Sequence, residues 1–319
     1  KKFRSVPKAL FTIGNSGQNI RSGEAALTEK SRQITQAIFG YGTHDEEVLG
    51  RGVYNQFGKG ATGFDLVSVQ FAMHYFFADH ITLQNFVRNI SECCKVNGHF
   101  IGTCYDGLKV FRALENKKMG EKIVIMDGKQ KMWEVTKQYD RDTFDNDASC
   151  LGYQIDVYQE SINKVFSEYL VNFDYFIRVM ENYGLIPITK EEAHDMRLPN
   201  PIGSFQELFV QMNNEIREKR LREGNVGDAV NMSEREKRVS FLNNYFVFKK
   251  VRDVDTEAVF KTNMGVEINN SVKVEEDIIT KTVIEPVNPS VAKPKPKRKS
   301  KKRKKRVKIV TGTSATKES

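Results

Sequence analysis

Apolar and polar positions follow two rhythms along this chain, one of period two and one close to 3.6. Lys8 to Gly14 (KALFTIG) is a short apolar run closed by Gly14-Asn15-Ser16-Gly17, which predicts a buried strand followed by a turn. Residues 24–39 place Ala25, Ala26, Ile34, Ala37 and Ile38 on one side of a helix. A Gly-rich stretch, roughly 40–63, predicts a loop. Phe64 to Gln70 (FDLVSVQ) is rich in strand formers and predicts the next strand. Over 80–96, Leu83, Phe86, Val87, Ile90, Cys93 and Cys94 recur at helical spacing, with Asn97-Gly98 as the expected stop. His99 to Cys104 predicts a third strand, and Leu108 to Leu114 opens another helix.

This alternation of strand and helix is the mark of a parallel sheet with crossover helices. The rhythm then changes. Lys122–Met126 and Met132–Thr136 flank Asp127-Gly128, a hairpin signal. Residues 151–158 and 164–173 predict further strands, 174–184 and 205–222 predict helices, and Tyr245 to Lys249 predicts a closing strand. Antiparallel strands added to a parallel sheet make a mixed α/β architecture. Residues 1–250 are therefore expected to form the folded domain and 251–275 a linker. Residues 276–319 hold no aromatic residue and carry Pro286, Pro289, Pro294 and Pro296, which predicts a disordered tail.

Charge sharpens that division. The formal net charge of the 319 residues is +9, yet 12 Lys/Arg and no acid lie between Lys293 and Lys308. The other 38 basic residues are outnumbered by 41 acidic ones, so the basicity belongs to the tail. No apolar run approaches the roughly 20 residues that span a bilayer, so no membrane partner is expected. Cys93, Cys94, Cys104 and Cys150 lack C-x-x-C or Cys/His spacing, which argues against a metal site and suits a reducing compartment. The chain opens at Lys1-Lys2-Phe3, with neither a signal peptide nor a Met, and is expected to be part of a longer polypeptide.

Few motifs carry chemistry. Gly58-Lys59-Gly60-Ala61-Thr62-Gly63 spells G-x-G-x-x-G, but a dinucleotide fingerprint needs a strand before it and a helix after it; here a loop precedes and a strand follows. There is no Walker phosphate loop and no nucleophile elbow, and the five His are scattered. What remains is the end of the strand at 64–70. In parallel α/β sheets ligands bind outside the carboxyl ends of strands, where Gln70, His74 and Tyr75 fall, with Asn15 and Ser16 at the end of the first strand. Such residues suit a nucleoside base, which offers faces for stacking and edges for hydrogen bonds. Periodicity alone equally allows Gln70 and His74 to cap the next helix and Tyr75 to fill core. In Ser167–Phe173, an unbroken strand would put Glu168, Leu170 and Asn172 on one face. Glu168 could face solvent there, or accept the N1–H and N2–H of a guanine.

VQFAMHYFF after FD, SEYLVNF and the closing NNYFVFKK together resemble the messenger-RNA cap (guanine-N7) methyltransferases. NISECCKVNGHFIGTCYDG and YQESINKVFSEYLVNFDY look most like the versions of large nucleocytoplasmic DNA viruses. The resemblance runs from about Phe3 to Val251. It implies a class I S-adenosylmethionine-dependent, Rossmann-like α/β sheet with antiparallel C-terminal strands, and it implies that the first strands of that fold, with their Gly-rich cofactor loop and ribose-binding acid, precede this sequence. By resemblance Asn15, Ser16, Gln70 and Tyr75 match cofactor positions, and His74, Tyr75, Glu168 and Tyr245 match cap-guanine positions. Asn15 stands where relatives carry Asp. Its amide accepts from an adenine amino group less strongly than a carboxylate does.

The implied activity is methyl transfer from S-adenosylmethionine to N7 of the guanine cap of mRNA, without acid–base catalysis and without metal. Implied partners are 5′-capped RNA, nonspecific RNA or an import receptor on the Lys293–Lys308 block, and other capping domains upstream in the same polypeptide. The implied location is the nucleus or a cytoplasmic viral factory, with packaging in the virion a further option. Two alternatives stay open: a noncatalytic methyltransferase-fold module supporting a partner capping subunit, and a small-molecule methyltransferase.

Overall fold

The computed structural model describes residues 8–265. Helix α1 (Glu29–Phe39) starts on Thr28, whose side chain accepts from Ser31 N–H, and ends on Gly40. The Gly-rich stretch that follows holds two short helices, α2 (Glu46–Leu49) and α3 (Arg51–Tyr54), then turns through the G-x-G-x-x-G residues. Strand β1 (Phe64–Gln70) comes next, followed by a 3-10 turn (Met73–Phe77), helix α4 (His80–Cys93) and strand β2 (Cys94–Tyr105). Helix α5 (Gly107–Ala113) leads to strands β3 (Lys122–Asp127) and β4 (Gln130–Lys137), joined by the expected Asp127-Gly128 turn, then β5 (Gln154–Gln159) and β6 (Lys164–Tyr169). Helix α6 (Phe173–Asn182), strand β7 (Leu185–Pro187), helix α7 (Lys190–Asp195), strand β8 (Ile202–Ser204), helices α8 (Phe205–Arg217) and α9 (Glu234–Ser240) and strand β9 (Asn243–Lys250) complete the elements.

Two sheets result. The first is mixed, in the order β1-β2-β9-β7, with β1 and β2 parallel, β9 antiparallel to β2, and β8 also paired to β9. The second, β3-β4-β5-β6, is antiparallel throughout. The mixed α/β class expected from the sequence is the one observed. A first core lies between the mixed sheet and helices α4 and α6. There Leu83, Phe86, Val87 and Ile90 of α4 meet Phe100 of β2, Phe176 and Met180 of α6, and Phe246 and Phe248 of β9. Each such side chain contributes about 1.5–3 kcal/mol through burial. A second core sits under the antiparallel sheet, where Val110 and Leu114 of α5 meet Trp133, Tyr153 and Ile155. All four cysteines are free and buried, and act as core residues.

The sheets meet at a seam. Gly107 N–H donates to Val171 O at 3.0 Å, and Trp133 Nε1–H donates to Tyr105 Oη at 3.0 Å. A Cβ on residue 107 would lie 2.4 Å from Val171 O, so only glycine permits this crossing. Leu170 belongs to the second core and Val171 to the first, which fixes the chain just after Glu168 on both sides.

Three expectations need correction. Residues 8–13 form no strand; Ile13 N–H donates to Ser31 Oγ and its carbonyl accepts from Leu27 N–H beside the Gly14–Ala26 bridge, while Phe11 is 87% exposed and Ile13 64%. An apolar run becomes a strand only where a neighbour pairs its backbone along its length and covers its faces, and among the described residues this pairing is confined to Ile13, Gly14 and Asn15. The helix at 80–96 ends at Cys93, and the Asn97-Gly98 stop sits inside β2, with Asn97 at φ 66°, where the β1–β2 register shifts. The strand at 164–173 stops at Tyr169, because Asn172 caps α6 by accepting from Tyr175 N–H. Asn172 therefore does not share a strand face with Glu168.

Part of the expected linker is also ordered. Residues 256–265 form a helix laid along α4, with Thr256 Oγ1 donating to Glu92, Asn263 Nδ2 donating to Gln84, and Val259 against the first core. The tail at 276–319, with its basic block, lies outside the described residues.

Candidate guanine and cofactor site

The carboxyl ends of β1 and β2 assemble the site. Gln70 ends β1. Its Oε1 accepts from Thr103 Oγ1 at 2.8 Å, and its amide donates to Ser68 Oγ at 2.9 Å. The strand register lines up Gln70, Thr103, Tyr245 and Gly203 across β1, β2, β9 and β8, so these residues form one row on one face. Gln70 and His74 do not cap α4; Asp79 does, accepting from Thr82 N–H at 2.8 Å.

Past Gln70, the 3-10 turn carries His74 inward and Tyr75 outward. His74 is 4% exposed and Tyr75 42%, their rings meeting edge-on at 4.3 Å. Strand β6 of the other sheet brings Glu168, 7% exposed, to 3.7 Å from His74 Nδ1. That separation is too long for a hydrogen bond. Both ring nitrogens of His74 and Oε2 of Glu168 are buried and lack a hydrogen-bond partner among the described residues. Burial pushes the Glu168 carboxyl up to about 7 and the His74 imidazolium down to about 4. Burial thus disfavours the charged form of both groups, so this contact is not a standing ion pair. Tyr75 is raised too, first by burial and then by Glu168.

The structure thus unites His74, Tyr75 and Glu168. Tyr245 is buried on the neighbouring row, its hydroxyl donating to Asn200 O at 2.8 Å and accepting from Asn200 N–H at 3.0 Å, so its polar end is turned to the 200 loop. Its ring lies over Gly203, where a Cβ would come within 2.6 Å of the hydroxyl. Asn15 and Ser16 stand apart on the α4 side. Asn15 Oδ1 accepts from Gly17 N–H at 2.9 Å, and Asn89 of α4 donates to Ser16 O at 2.9 Å.

Three positioning residues escape a reading by motif. Asn89 also donates to Gln18 O and accepts from Ile20 N–H, pinning the whole 16–20 turn. A polar residue set between Phe86 and Ile90 in an apolar helix was the available signal. Thr103 occupies on β2 the strand-end position that Gln70 occupies on β1. Phe71, at φ 51°, has no signal in the sequence.

Unpartnered buried groups of this kind cost about 1–3 kcal/mol each unless a ligand satisfies them. The arrangement is suited to a planar ligand with adjacent N–H donors and a carbonyl acceptor, stacked against Tyr75. Among the described residues no group of three or more His, Cys, Asp or Glu could hold a metal ion.

The fold is that of a mixed α/β domain, and comparison with known proteins gives its family. The mRNA (guanine-N(7))-methyltransferase domain family matches residues 22–251. The chain belongs to this family. A probable mRNA-capping enzyme of Acanthamoeba polyphaga mimivirus is 27% identical over 229 residues, 66% of this chain and 19% of that protein. An mRNA cap guanine-N(7) methyltransferase of Caenorhabditis briggsae is 43% identical over 58 residues, 18% of this chain and 15% of that protein. The chain thus spans about a fifth or less of the length of these relatives. Among solved structures, an S-adenosylmethionine-dependent methyltransferase from Clostridium acetobutylicum aligns with a TM-score of 0.31 and 12% identity, over 59% of this chain and 58% of that one. Among the described residues no helix is long and apolar enough to cross a membrane.

Proposed function

We propose that this domain binds the 5′-terminal guanine of capped RNA and serves its methylation at N7. The observation that carries the reading is the buried, unpartnered His74–Glu168 pair beside the half-exposed ring of Tyr75. Guanine presents N1–H and N2–H side by side, which a Glu168 carboxylate accepts. The neutral His74 imidazole has one N–H to give to O6. Tyr75 offers a ring face between base and cofactor, and Tyr245 closes the pocket from β9.

N7 carries a lone pair and no proton, so the reaction needs no general base. S-adenosylmethionine would supply a methyl group carried on a sulfonium centre, and its transfer to N7 would leave a neutral thioether and a positively charged guanine. Catalysis by this chain then consists of orientation and charge. Glu168, ionised by its two N–H donors, faces the ring that becomes cationic, and so favours the transition state over the ground state. The cofactor-side residues suit an adenosyl ligand in type: Gln70 at the end of β1 and Asn15 and Ser16 by α4 are solvent-facing amide and hydroxyl groups. They offer no carboxylate for a ribose.

In the same reading the basic block Lys293–Lys308 holds RNA phosphates or serves nuclear import. Titration of the 319-residue chain with GTP and, separately, with S-adenosylmethionine tests the proposal. Saturable GTP binding that Glu168→Gln abolishes supports it. Failure of the intact chain to bind GTP refutes it.

A further inference from the structure

Phe71 sits at the pocket mouth in a placement that packing does not explain. It directly follows Gln70, its side chain is more than half exposed (54%), and its backbone φ of 51° lies in the left-handed region. That region disfavours any residue with a Cβ, and a bulky aromatic strongly; glycine would adopt it freely. The conformation is nevertheless tied down. Phe71 N–H donates to Thr103 O at 2.8 Å, and the preceding Gln70 side chain is held by Thr103 Oγ1 at 2.8 Å. Backbone strain held by its surroundings, at the edge where a ligand binds, points to function.

The left-handed turn breaks the side-chain alternation of β1 and leans the Phe71 ring toward α8. There the half-buried Phe205 meets it edge-on, centroids 6.1 Å apart at 80°. Phe205 follows Ser204, which pairs with Asn244 near the end of β9 where the carboxyl end of β2 also lies. Tyr75, 42% exposed, lies four residues beyond Phe71. Phe71, Phe205 and Tyr75 thus present aromatic rings at the strand end after which the chain runs into the buried His74–Glu168 pair. Of the proposed cofactor residues Gln70 adjoins Phe71, while the Asn15-Ser16 turn is pinned to α4 by Asn89 and the Phe71 ring leans away from Gln70 to α8.

An exposed aromatic shelf at the strand end that leads into the proposed guanine site fits the next base of the same ligand. Single-stranded bases stack on aromatic rings with little regard to sequence, which suits a transcript start. We infer that Phe71, backed by Phe205, stacks the base of the first transcribed nucleotide. The domain then grips capped RNA at two bases, the guanine in the pocket and its neighbour on the shelf. The inference rests on the cap reading above.

Calorimetric titration of the 319-residue chain with GTP, which lacks the second base, and with GpppA, which has it, separates the two. The intact chain is expected to bind GpppA more tightly than GTP. Phe71→Ala is expected to weaken GpppA roughly tenfold, within the range for loss of one base stack, and to leave GTP within about twofold. Phe71→Tyr keeps a ring and keeps the GpppA preference. Phe71→Gly relieves the backbone, so it raises Tm while losing that preference. Equal loss of GTP and GpppA in Phe71→Ala, loss confined to S-adenosylmethionine, or unchanged GpppA affinity overturns the shelf. An intact chain that binds GTP and GpppA equally also overturns the shelf and spares the cap reading. One that binds neither overturns the cap reading, and the shelf with it.

Discussion

The two sides of the site are built differently. On the proposed guanine side, His74 and Glu168 are nearly sealed from solvent, His74 from the turn after β1 of the mixed sheet and Glu168 from β6 of the other. On the cofactor side, Asn15, Ser16 and Gln70 are solvent-facing. β1 has a strand on one side only among the described residues, leaving Phe64 40% and Leu66 53% exposed. Beside that edge lies a 380 Å³ cleft lined by Leu10, Ile34, Ile38, Phe39 and Phe64. The guanine side is preorganised in low dielectric, where one hydrogen bond decides recognition. The cofactor side consists of surface groups whose contributions are small and separately adjustable.

The largest expected effect follows on the guanine side. Glu168→Gln keeps the shape of the side chain but loses the carboxylate, and should lower methyl transfer by roughly 100-fold or more. S-adenosylmethionine affinity, measured by calorimetry, stays within about twofold. A matching loss of cofactor affinity would break the distinction between the two sides.

The next effect is on stability against pH. Glu168 titrates near 7 when folded and near 4.5 when unfolded, so its contribution is full below pH 4.5 and is lost as pH rises through 7. His74 titrates near 4 when folded and near 6.5 when unfolded, so its contribution is full above pH 6.5 and is lost as pH falls through 4. Between pH 4.5 and 6.5 the two oppose each other. Relative to the intact chain, His74→Gln therefore loses stability as pH rises from 4 to 6.5, and Glu168→Gln gains stability from pH 4.5 to 7, by up to about 3 kcal/mol in each case. Urea unfolding at a series of pH values measures both slopes. Parallel curves for all three proteins would show that neither group is buried as described.

The smallest effect belongs to the cofactor side. Asn15→Asp keeps the bond to Gly17 N–H and adds a stronger acceptor for an adenine amino group. It should tighten S-adenosylmethionine a few-fold, without changing GTP binding. Tighter GTP instead would place Asn15 in the wrong half of the site.

The same contrast explains what was legible in the sequence. Helix α4, strands β1 and β9 and the β3–β4 hairpin could be read because their patterns are completed by local neighbours or by strong turn residues. His74, Tyr75 and Glu168 could be grouped from motif order alone, and the structure brings them together; their approach across two sheets has no period to reveal it. The run at 8–14 was misread because KALFTIG has a strand's composition, while strand formation depends on a partner that composition does not contain. Strands β7 and β8, three residues each, are too short to carry a rhythm, and exist because β9 offers them a ladder. Phe71 was invisible for another reason: a left-handed φ at an aromatic runs against every local preference.

One crossing sets the tolerance of the whole pocket. Glu168 reaches His74 only because the chain just beyond it is seated against Gly107, where nothing larger than hydrogen fits beneath Val171 O. The positional error of the His74–Glu168 approach is therefore inherited from a single approach of two peptide groups. A methyl group placed there would act as a shim, misaligning the reading head while leaving every residue that reads the base in its own local fold.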